Sequence, residues 1–180
     1  MSKKIESHFD IESLNENYKL NPYLEDFYNN PNDFSFKLES FFLNERVGQI
    51  NKHFLISQKR KTISDFWIGK SLVFAKNNLN KKSFKKYTED FKKLNFRLRA
   101  PEIIIFLSQN ILQLQKQIIE RGRSFEKKIS KDYLNSIARE YEIIFDKKHS
   151  FIFILLSPKE VLSLKNKKGL ESLFRKVINT

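Results

Sequence analysis

Two short apolar runs constrain the fold more than any other feature of the sequence. PEIIIFL starts at Pro101 and FIFILL starts at Phe151. Both runs are too short for a buried helix and are rich in β-branched or aromatic residues, a pattern typical of strands covered on both faces. Because helical stretches separate them, the two runs predict a parallel sheet within an α/β fold.

The remaining segments are mostly helical in pattern. Apolar side chains recur at roughly helical spacing over residues 34–58, and Asp33 can cap this segment. TISDF at residues 62–66 is a short β-prone piece. Further helices are predicted at residues 67–78, 83–94, 110–120, 130–145 and 160–177.

Composition excludes several classes of protein. The 180 residues contain no cysteine, which removes disulfides, thiol catalysis and Cys-type zinc sites. His8, His53 and His149 do not space like a metal site, so no resident metal is expected. No run approaches the ~20 apolar residues of a membrane span, and the N-terminus lacks the apolar stretch of a signal peptide. We therefore expect a cytoplasmic protein with one domain over residues 1–180.

The charge balance points to a polyanionic partner without identifying it. The chain has 34 Lys+Arg against 21 Asp+Glu and a formal net charge of +13, which favours nucleic acid or nucleotide phosphate. The lysines spread over every surface segment, so they make a weak footprint. A basic nucleic-acid-binding module that uses Lys-rich helices such as residues 76–93 therefore stays open, as does a decayed gene product.

Two clusters carry candidate chemistry. Arg121 and Arg123 flank Gly122 and could both reach a transferring phosphoryl group, although a solvated basic turn has the same pattern. Glu39 and Arg46 lie seven residues apart on one predicted helix face, where they could hold the edge of a planar ring. A structural salt bridge between them is the simpler alternative.

The ordered motifs of the chain resemble the bacterial deoxynucleoside kinases from about Ile5 to beyond Phe153. The motifs are NPYLEDFY, Phe-Ser-Phe-x-Leu-Glu at 34–39, Arg46, SDFWIGKSLVFAK, PEIIIFL, RGRSFE and DYLNSIAREY. The S-D-aromatic motif is most similar to the kinase domain fused behind a pterin pyrophosphokinase in some Bacteroidota. The resemblance implies transfer of a γ-phosphoryl group from ATP, with Mg²⁺, to the 5′-hydroxyl of a deoxynucleoside. A purine such as deoxyadenosine is the expected substrate, a homodimer is open, and nucleic acid is not an expected partner.

The resemblance also implies roles for individual residues. Glu16 matches the catalytic carboxylate that accepts the 5′-hydroxyl proton, and Arg121 and Arg123 match lid arginines in a lid segment over residues 121–129. The substrate-binding matches are Tyr28 and Glu126 at the sugar 3′-hydroxyl, Glu39 and Arg46 at the base edge, and Phe74 stacked on the base. Asp65 lies in Ser64-Asp65-Phe66, where most relatives have an acidic-Arg-Ser motif, and is expected to assist Mg²⁺ or the sugar.

Two departures from the family pattern affect these expectations. The four glycines, Gly48, Gly69, Gly122 and Gly169, are isolated, so the family's G-x-x-G-x-G-K-[ST] phosphate loop is missing. Lys70 stands where most relatives have an Asp that helps to read the base, which leaves the base preference open. We expect weak or absent ATP binding and little turnover from this chain. Either the start codon is mis-assigned, or the protein is a shortened one with a non-kinase role.

The expected architecture is a P-loop-kinase-like three-layer α/β fold with a parallel sheet that lacks its first, central strand. The family's strand order is 2-3-1-4-5. Without strand 1, the strand near Ile63 and the strand at residues 103–107 would each expose an unpaired edge.

Overall fold

The structure, a computed structural model, describes residues 5–6, 11–56, 61–146 and 150–179. It divides into two compact units, Met1–Arg99 and Ala100–Thr180. The single domain expected over residues 1–180 stays a prediction. His8, His149 and the last residues of the first predicted helix, 57–58, lie outside the described residues.

The first unit combines a two-stranded parallel sheet with four helices among its described residues. Its elements are β1 (Glu12–Leu14), a 3-10 turn (Tyr18–Leu20), α1 (Leu24–Asn29), α2 (Pro31–Ile56), β2 (Thr62–Ser64), α3 (Lys70–Asn78) and α4 (Lys81–Asn95). In the sheet, Leu14 lies opposite Ser64. The predicted Asp33 cap is wrong, because α2 begins at Pro31, whose fixed φ suits the first helical position.

A hydrophobic core joins the helices of the first unit. Its buried side chains are Leu43, Val47, Ile50, Phe66, Ile68, Ala75, Tyr87 and Phe91. Fully burying one large apolar side chain stabilises a fold by about 1.5–3 kcal/mol. The core therefore fixes α2, which carries Glu39 and Arg46, against α3, which carries Phe74, and against α4.

The second unit contains a second two-stranded parallel sheet. Its elements are β3 (Ile103–Leu107), α5 (Ile111–Arg121), a 3-10 turn (Ser124–Lys128), α6 (Lys131–Phe145), β4 (Ile152–Leu156), α7 (Pro158–Ser163) and α8 (Lys167–Ile178). Ile105 lies opposite Ile154 in the parallel pair. The parallel strands predicted from the two apolar runs are confirmed. β1 pairs with β2 and β3 pairs with β4, as the family order 2-3-1-4-5 without its strand 1 implies.

The expected coverage of β3 and β4 on both faces is wrong. Leu107 is 37% exposed and Leu155 is 57% exposed, and the other side chains of β3 are only half-buried. Rings of α6 cover part of the sheet: Phe145 stacks on Phe153 with centroids 4.2 Å apart. A sheet that has two strands in the described residues gives each strand few neighbours, so apolar side chains remain exposed.

The C-terminal segment also differs from its prediction, because it forms two helices where a single helix over residues 160–177 was expected. The Ser157 hydroxyl and the Glu160 carboxylate form a capping box at the start of α7. The side chain of Asn166 then accepts a hydrogen bond from the Gly169 N–H at 2.8 Å and starts α8. A short amide side chain that bonds to the backbone favours a new cap over continuation of the preceding helix.

None of the helices in the described parts of the chain has the length and the apolar character needed to cross a membrane.

Gly169→Ala is expected to lower the free energy of unfolding by about 1–3 kcal/mol, the usual cost of overpacking. A Cβ at this position would lie 2.0 Å from the backbone oxygen of Ser163. The control is Gly48→Ala in the interior of α2, where a Cβ meets nothing within 4 Å; it is expected to add about 0.5–1 kcal/mol through helix propensity. Urea unfolding of both variants checks this, and equal effects of the two changes would contradict it.

Candidate active site

Two carboxylates follow the parallel strands of the first unit. Glu16 lies just beyond β1, and Asp65 comes directly after β2. The backbone N–H of Glu16 donates to Asp65 Oδ1 at 2.8 Å, and the backbone N–H of Asp65 donates to the carbonyl of Leu14 at 3.2 Å. Ligands of open parallel sheets bind outside the carboxyl ends of the strands, so these groups mark the edge where a site is expected.

Two cations hold the carboxylate of Glu16, one on each oxygen. Arg46 Nε on α2 lies 2.6 Å from Glu16 Oε1, and Lys70 Nζ at the start of α3 lies 2.9 Å from Glu16 Oε2. Arg46 also donates from Nη1 to Ser71 Oγ at 2.6 Å. We call Glu16, Arg46 and Lys70 the Glu16 clamp; it joins a strand end to two helices.

The clamp shifts the pKa of two of its members. Burial raises the pKa of the Glu16 carboxyl, but the charges of Lys70 and Arg46 and their hydrogen bonds outweigh burial and bring the pKa below its usual value. Burial lowers the pKa of the Lys70 ammonium, and the Glu16 carboxylate opposes this only in part. Glu16 is therefore held as a carboxylate at neutral pH, with acceptor capacity left on both oxygens.

Glu39 on α2 is a second carboxyl of the site, and it is fully buried, with only 2% exposed. Its Oε1 accepts a hydrogen bond from Asn78 Nδ2 at 2.7 Å, whereas its buried Oε2 meets no donor among the described residues. Burial raises the pKa of Glu39 to about 7, and the hydrogen bond from Asn78 and the charges of Arg46 and Lys70 oppose the rise. The pKa of Glu39 therefore lies close to neutral pH, and its Oε2 can accept a hydrogen bond from a ligand.

One face of α3 presents an aromatic ring between two polar ends. Lys70, Phe74 and Asn78 are spaced at i, i+4 and i+8, which places them in one row along the helix. Lys70 Nζ lies 5.6 Å from the centroid of the Phe74 ring. Lys70 reaches Glu16 and Asn78 reaches Glu39, so the row runs between the two carboxylates.

A row on α2 has the same arrangement, an aromatic ring between two polar ends. Glu39, Phe42 and Arg46 are spaced at i, i+3 and i+7, and the guanidinium carbon of Arg46 lies 5.0 Å from the Phe42 ring centroid. A planar ligand with a polar edge suits two such rows, because binding sites commonly combine apolar walls with a few placed polar groups.

In the second unit, the arginines of the basic turn, Arg121 and Arg123, both pair with the carboxylate of Glu126. Gly122 adopts φ 71° and ends α5, a left-handed conformation that glycine accepts without strain. Arg121 donates from Nε and Nη2 to Glu126 Oε2 at 2.9 and 2.6 Å. Arg123 Nη1 lies 2.9 Å from Glu126 Oε1. Both guanidiniums therefore belong to one ion-paired cluster inside the predicted lid segment.

Several predicted site residues come together, and others do not. The structure groups Glu16, Glu39, Arg46 and Asp65 in the first unit. The simple salt bridge between Glu39 and Arg46 is not formed; Arg46 pairs with Glu16. Tyr28 packs against the Phe27 ring with centroids 5.1 Å apart. Within the described residues no group of three or more His, Asp or Glu side chains could hold a metal ion.

Three polar residues on α3 make contacts that the sequence did not predict: Lys70, Ser71 and Asn78. The spacing of the sequence could have indicated the contacts of Lys70 and Asn78. These residues lie four positions before and four positions after Phe74, so the three share one face of a helix with a polar residue at each end.

Comparison with known proteins gives consistent matches. The family model described as deoxynucleoside kinase matches residues 1–179. Deoxyguanosine kinase of Bacillus subtilis is 36% identical over 138 residues, which cover 75% of this chain and 66% of that protein. Deoxyadenosine kinase of Dictyostelium discoideum is 32% identical over 126 residues, covering 67% of this chain and 51% of that protein. The chain thus spans between half and two thirds of these relatives.

The fold has solved counterparts. The structure of deoxyadenosine kinase from M. mycoides with bound dATP superposes with a TM-score of 0.82 at 22% sequence identity, covering 99% of this chain and 91% of that chain. The same enzyme with dCMP and a flexible dCDP bound also gives a TM-score of 0.82. At this identity the superposition shows the fold, which is P-loop-kinase-like with parallel strands.

Glu39→Gln is expected to change how stability depends on pH. The Glu39 pKa is about 7 in the folded chain and near 4.3 in an unfolded one, so the folded state binds the extra proton between these values. Glu39 therefore lowers the free energy of unfolding as pH rises through this window, by up to about 1.4 kcal/mol per pH unit. Urea unfolding at pH 5, 6, 7 and 8 checks this: the glutamine variant should lack this decline, and parallel profiles would contradict the assignment.

Proposed function

Because the chain belongs to the deoxynucleoside kinase family, we propose that it binds a purine deoxynucleoside and transfers the γ-phosphoryl group of ATP to the 5′-hydroxyl. The Glu16 clamp is the observation that carries this proposal. It holds an ionised carboxylate at the carboxyl edge of a parallel sheet, beside the two helix faces suited to a planar ring.

Glu16 is the proposed general base. The oxygen of the 5′-hydroxyl forms a bond to the γ-phosphorus, the bond from that phosphorus to the leaving ADP oxygen breaks, and the hydroxyl proton passes to Glu16. A base of low pKa suffices, because phosphoryl transfer passes through a loose transition state that depends mostly on positioning and charge. Arg46 and Lys70 keep Glu16 ionised and fix its direction, while each oxygen retains a lone pair for the hydroxyl.

The purine base of the deoxynucleoside is proposed to lie against Phe74, with the edge of the purine at Glu39 and Arg46. Support comes from the order of groups along the helix faces: a carboxyl at one end, an aromatic ring in the middle, and the Glu16 clamp at the other. A nucleoside with its base at the ring then directs its sugar toward Glu16. The roles of Tyr28 and Glu126 at the 3′-hydroxyl remain proposals from the family match.

The phosphate side rests on fewer groups. Arg121 and Arg123 are proposed to contact the ATP phosphates, for which they would exchange part of their pairing with Glu126. The exposed carboxylate of Asp65 fits Mg²⁺, which typically binds one or two carboxylates together with substrate phosphates and water. The ion would offset charge on the transferring group. Since the 180 residues contain no glycine-rich phosphate loop, we also propose that they bind ATP weakly by themselves.

The comparisons favour this function over a basic nucleic-acid-binding module, since the matches are kinases. A cytoplasmic location and a homodimer are further proposals. Salt dependence separates the two functions. The affinity of a protein for nucleic acid falls steeply as salt rises, because it rests on phosphate contacts. The affinity for an uncharged deoxynucleoside should change little.

Phe74→Ala is expected to weaken deoxynucleoside binding by about 5- to 150-fold, since stacking of a base on an aromatic side chain contributes about 1–3 kcal/mol. Titration calorimetry with a purine deoxynucleoside at low and high salt measures it. The matched control is Phe96→Ala, which removes a ring that is 85% exposed in the same unit.

Wild-type protein and the Phe96 variant should bind alike at both salt concentrations. Deoxynucleoside binding that is absent from the wild type, or equal in the two alanine variants, would count against the proposed site.

A further inference from the structure

The carboxyl of Glu39 has an unfilled requirement for hydrogen-bond donors. Its Oε2 is buried and meets none among the described residues, and Oε1 accepts one bond, from Asn78. A buried acceptor without a partner carries the desolvation cost of that group, which a ligand that brings a donor removes. Asn78, which donates to Glu39, and Phe74, one turn earlier on α3, are only half-buried. A ligand that reaches Glu39 would therefore come along this face of α3.

An ionised carboxylate presents acceptors only, and the nucleobases differ in what they offer it. Guanine places two donors side by side, N1–H and the N2 amino group. Adenine places its N6 amino group beside an acceptor, N1 or N7. Cytosine likewise sets its N4 amino group beside the acceptor N3, and thymine offers a single N3–H between two carbonyl oxygens. Guanine is thus the base that matches both oxygens of a carboxylate.

We propose that Glu39 selects guanine, by accepting hydrogen bonds from N1–H and from the N2 amino group of a deoxyguanosine bound between α2 and α3. This inference rests on the proposed function, since it requires a deoxynucleoside in the same site.

The charges around Glu39 support the match. Arg46 on its own helix and Lys70 at the start of α3 both attract the ionised carboxylate, and Glu16 beyond β1 repels it. The ionised form is the one that matches guanine, and with a pKa of about 7 it predominates only above neutral pH. The protonated form would donate to N1 of adenine, so the affinities below are compared at pH 8. Guanine also brings the acceptor O6 next to N1–H, on the edge where the positive groups can meet it. Adenine would turn the lone pair of N1 toward an ionised Glu39.

Asn78 offers the strongest competing arrangement. Adenine could donate from N6 to Glu39 Oε2 while its ring nitrogen accepts from the amide of Asn78, which lies 2.7 Å from the other oxygen of Glu39. In that arrangement the carboxylate gains only one hydrogen bond from the base. Guanine gives it two, and charge-assisted hydrogen bonds are the stronger kind.

The experiment measures dissociation constants by calorimetry for deoxyguanosine, deoxyinosine and deoxyadenosine. Deoxyinosine keeps N1–H and O6 but lacks the N2 amino group, so it removes only the proposed contact of that amino group with Glu39. Each nucleoside is measured on the wild type, on Glu39→Gln and on Glu45→Gln, which makes the same change elsewhere on α2. The wild type should bind deoxyguanosine roughly tenfold or more tighter than deoxyinosine, with deoxyadenosine weaker still.

Glu39→Gln should lose most of the preference for deoxyguanosine, because an amide turns one donor toward the base, while Glu45→Gln should match the wild type. Equal wild-type affinity for deoxyguanosine and deoxyinosine, or tighter binding of deoxyadenosine, overturns the inference and leaves the kinase proposal standing. Binding of none of the three overturns both. Should Glu39→Gln fail to fold, the three wild-type constants still decide the question.

Discussion

The grip of Arg46 and Lys70 on Glu16 is the interaction on which the site depends. It ties the end of β1 to α2 and to the first residue of α3, through contacts of 2.6 and 2.9 Å. Losing either cation would leave a partly buried carboxylate with one partner, and removal of one member of a buried ion pair is far more costly than the pair is stabilising. The same two cations orient the Glu16 carboxylate and keep it ionised, so a change to either cation would alter both properties.

Glu16 and Glu39 show how two carboxyls of one site acquire different properties. Glu39 is buried and Glu16 is half-buried, and in each case burial by itself pushes the pKa upward. Glu16 meets two cations at hydrogen-bond distance and stays ionised, whereas Glu39 receives a single bond from a neutral amide and its pKa rises to about 7. Environments that separate the pKa values of neighbouring carboxyls commonly give the two groups different roles. Here that division favours proton transfer at Glu16 and base reading at Glu39.

The sequence predicted much of this and missed the rest for identifiable reasons. The apolar runs predicted β3, β4 and their parallel pairing, because β-branched composition and helical spacers are local signals. The break at Asn166 was missed because a side-chain cap overrides apolar periodicity. Helical spacing put Glu39 and Arg46 on one face, but the partner of Arg46 is Glu16, thirty positions away in the chain. The contact of Lys70 with Glu16 arises only when sheet and helices assemble.

The most direct test of this account is a crystal structure of the protein with a purine deoxynucleoside bound. The nucleobase should lie against Phe74 with its edge at Glu39, and the 5′-oxygen should lie within about 2.6–3.2 Å of a Glu16 oxygen, the range a general base requires. A nucleoside bound elsewhere, or one whose 5′-oxygen points away from Glu16 while its base occupies the site, would contradict the role of the clamp.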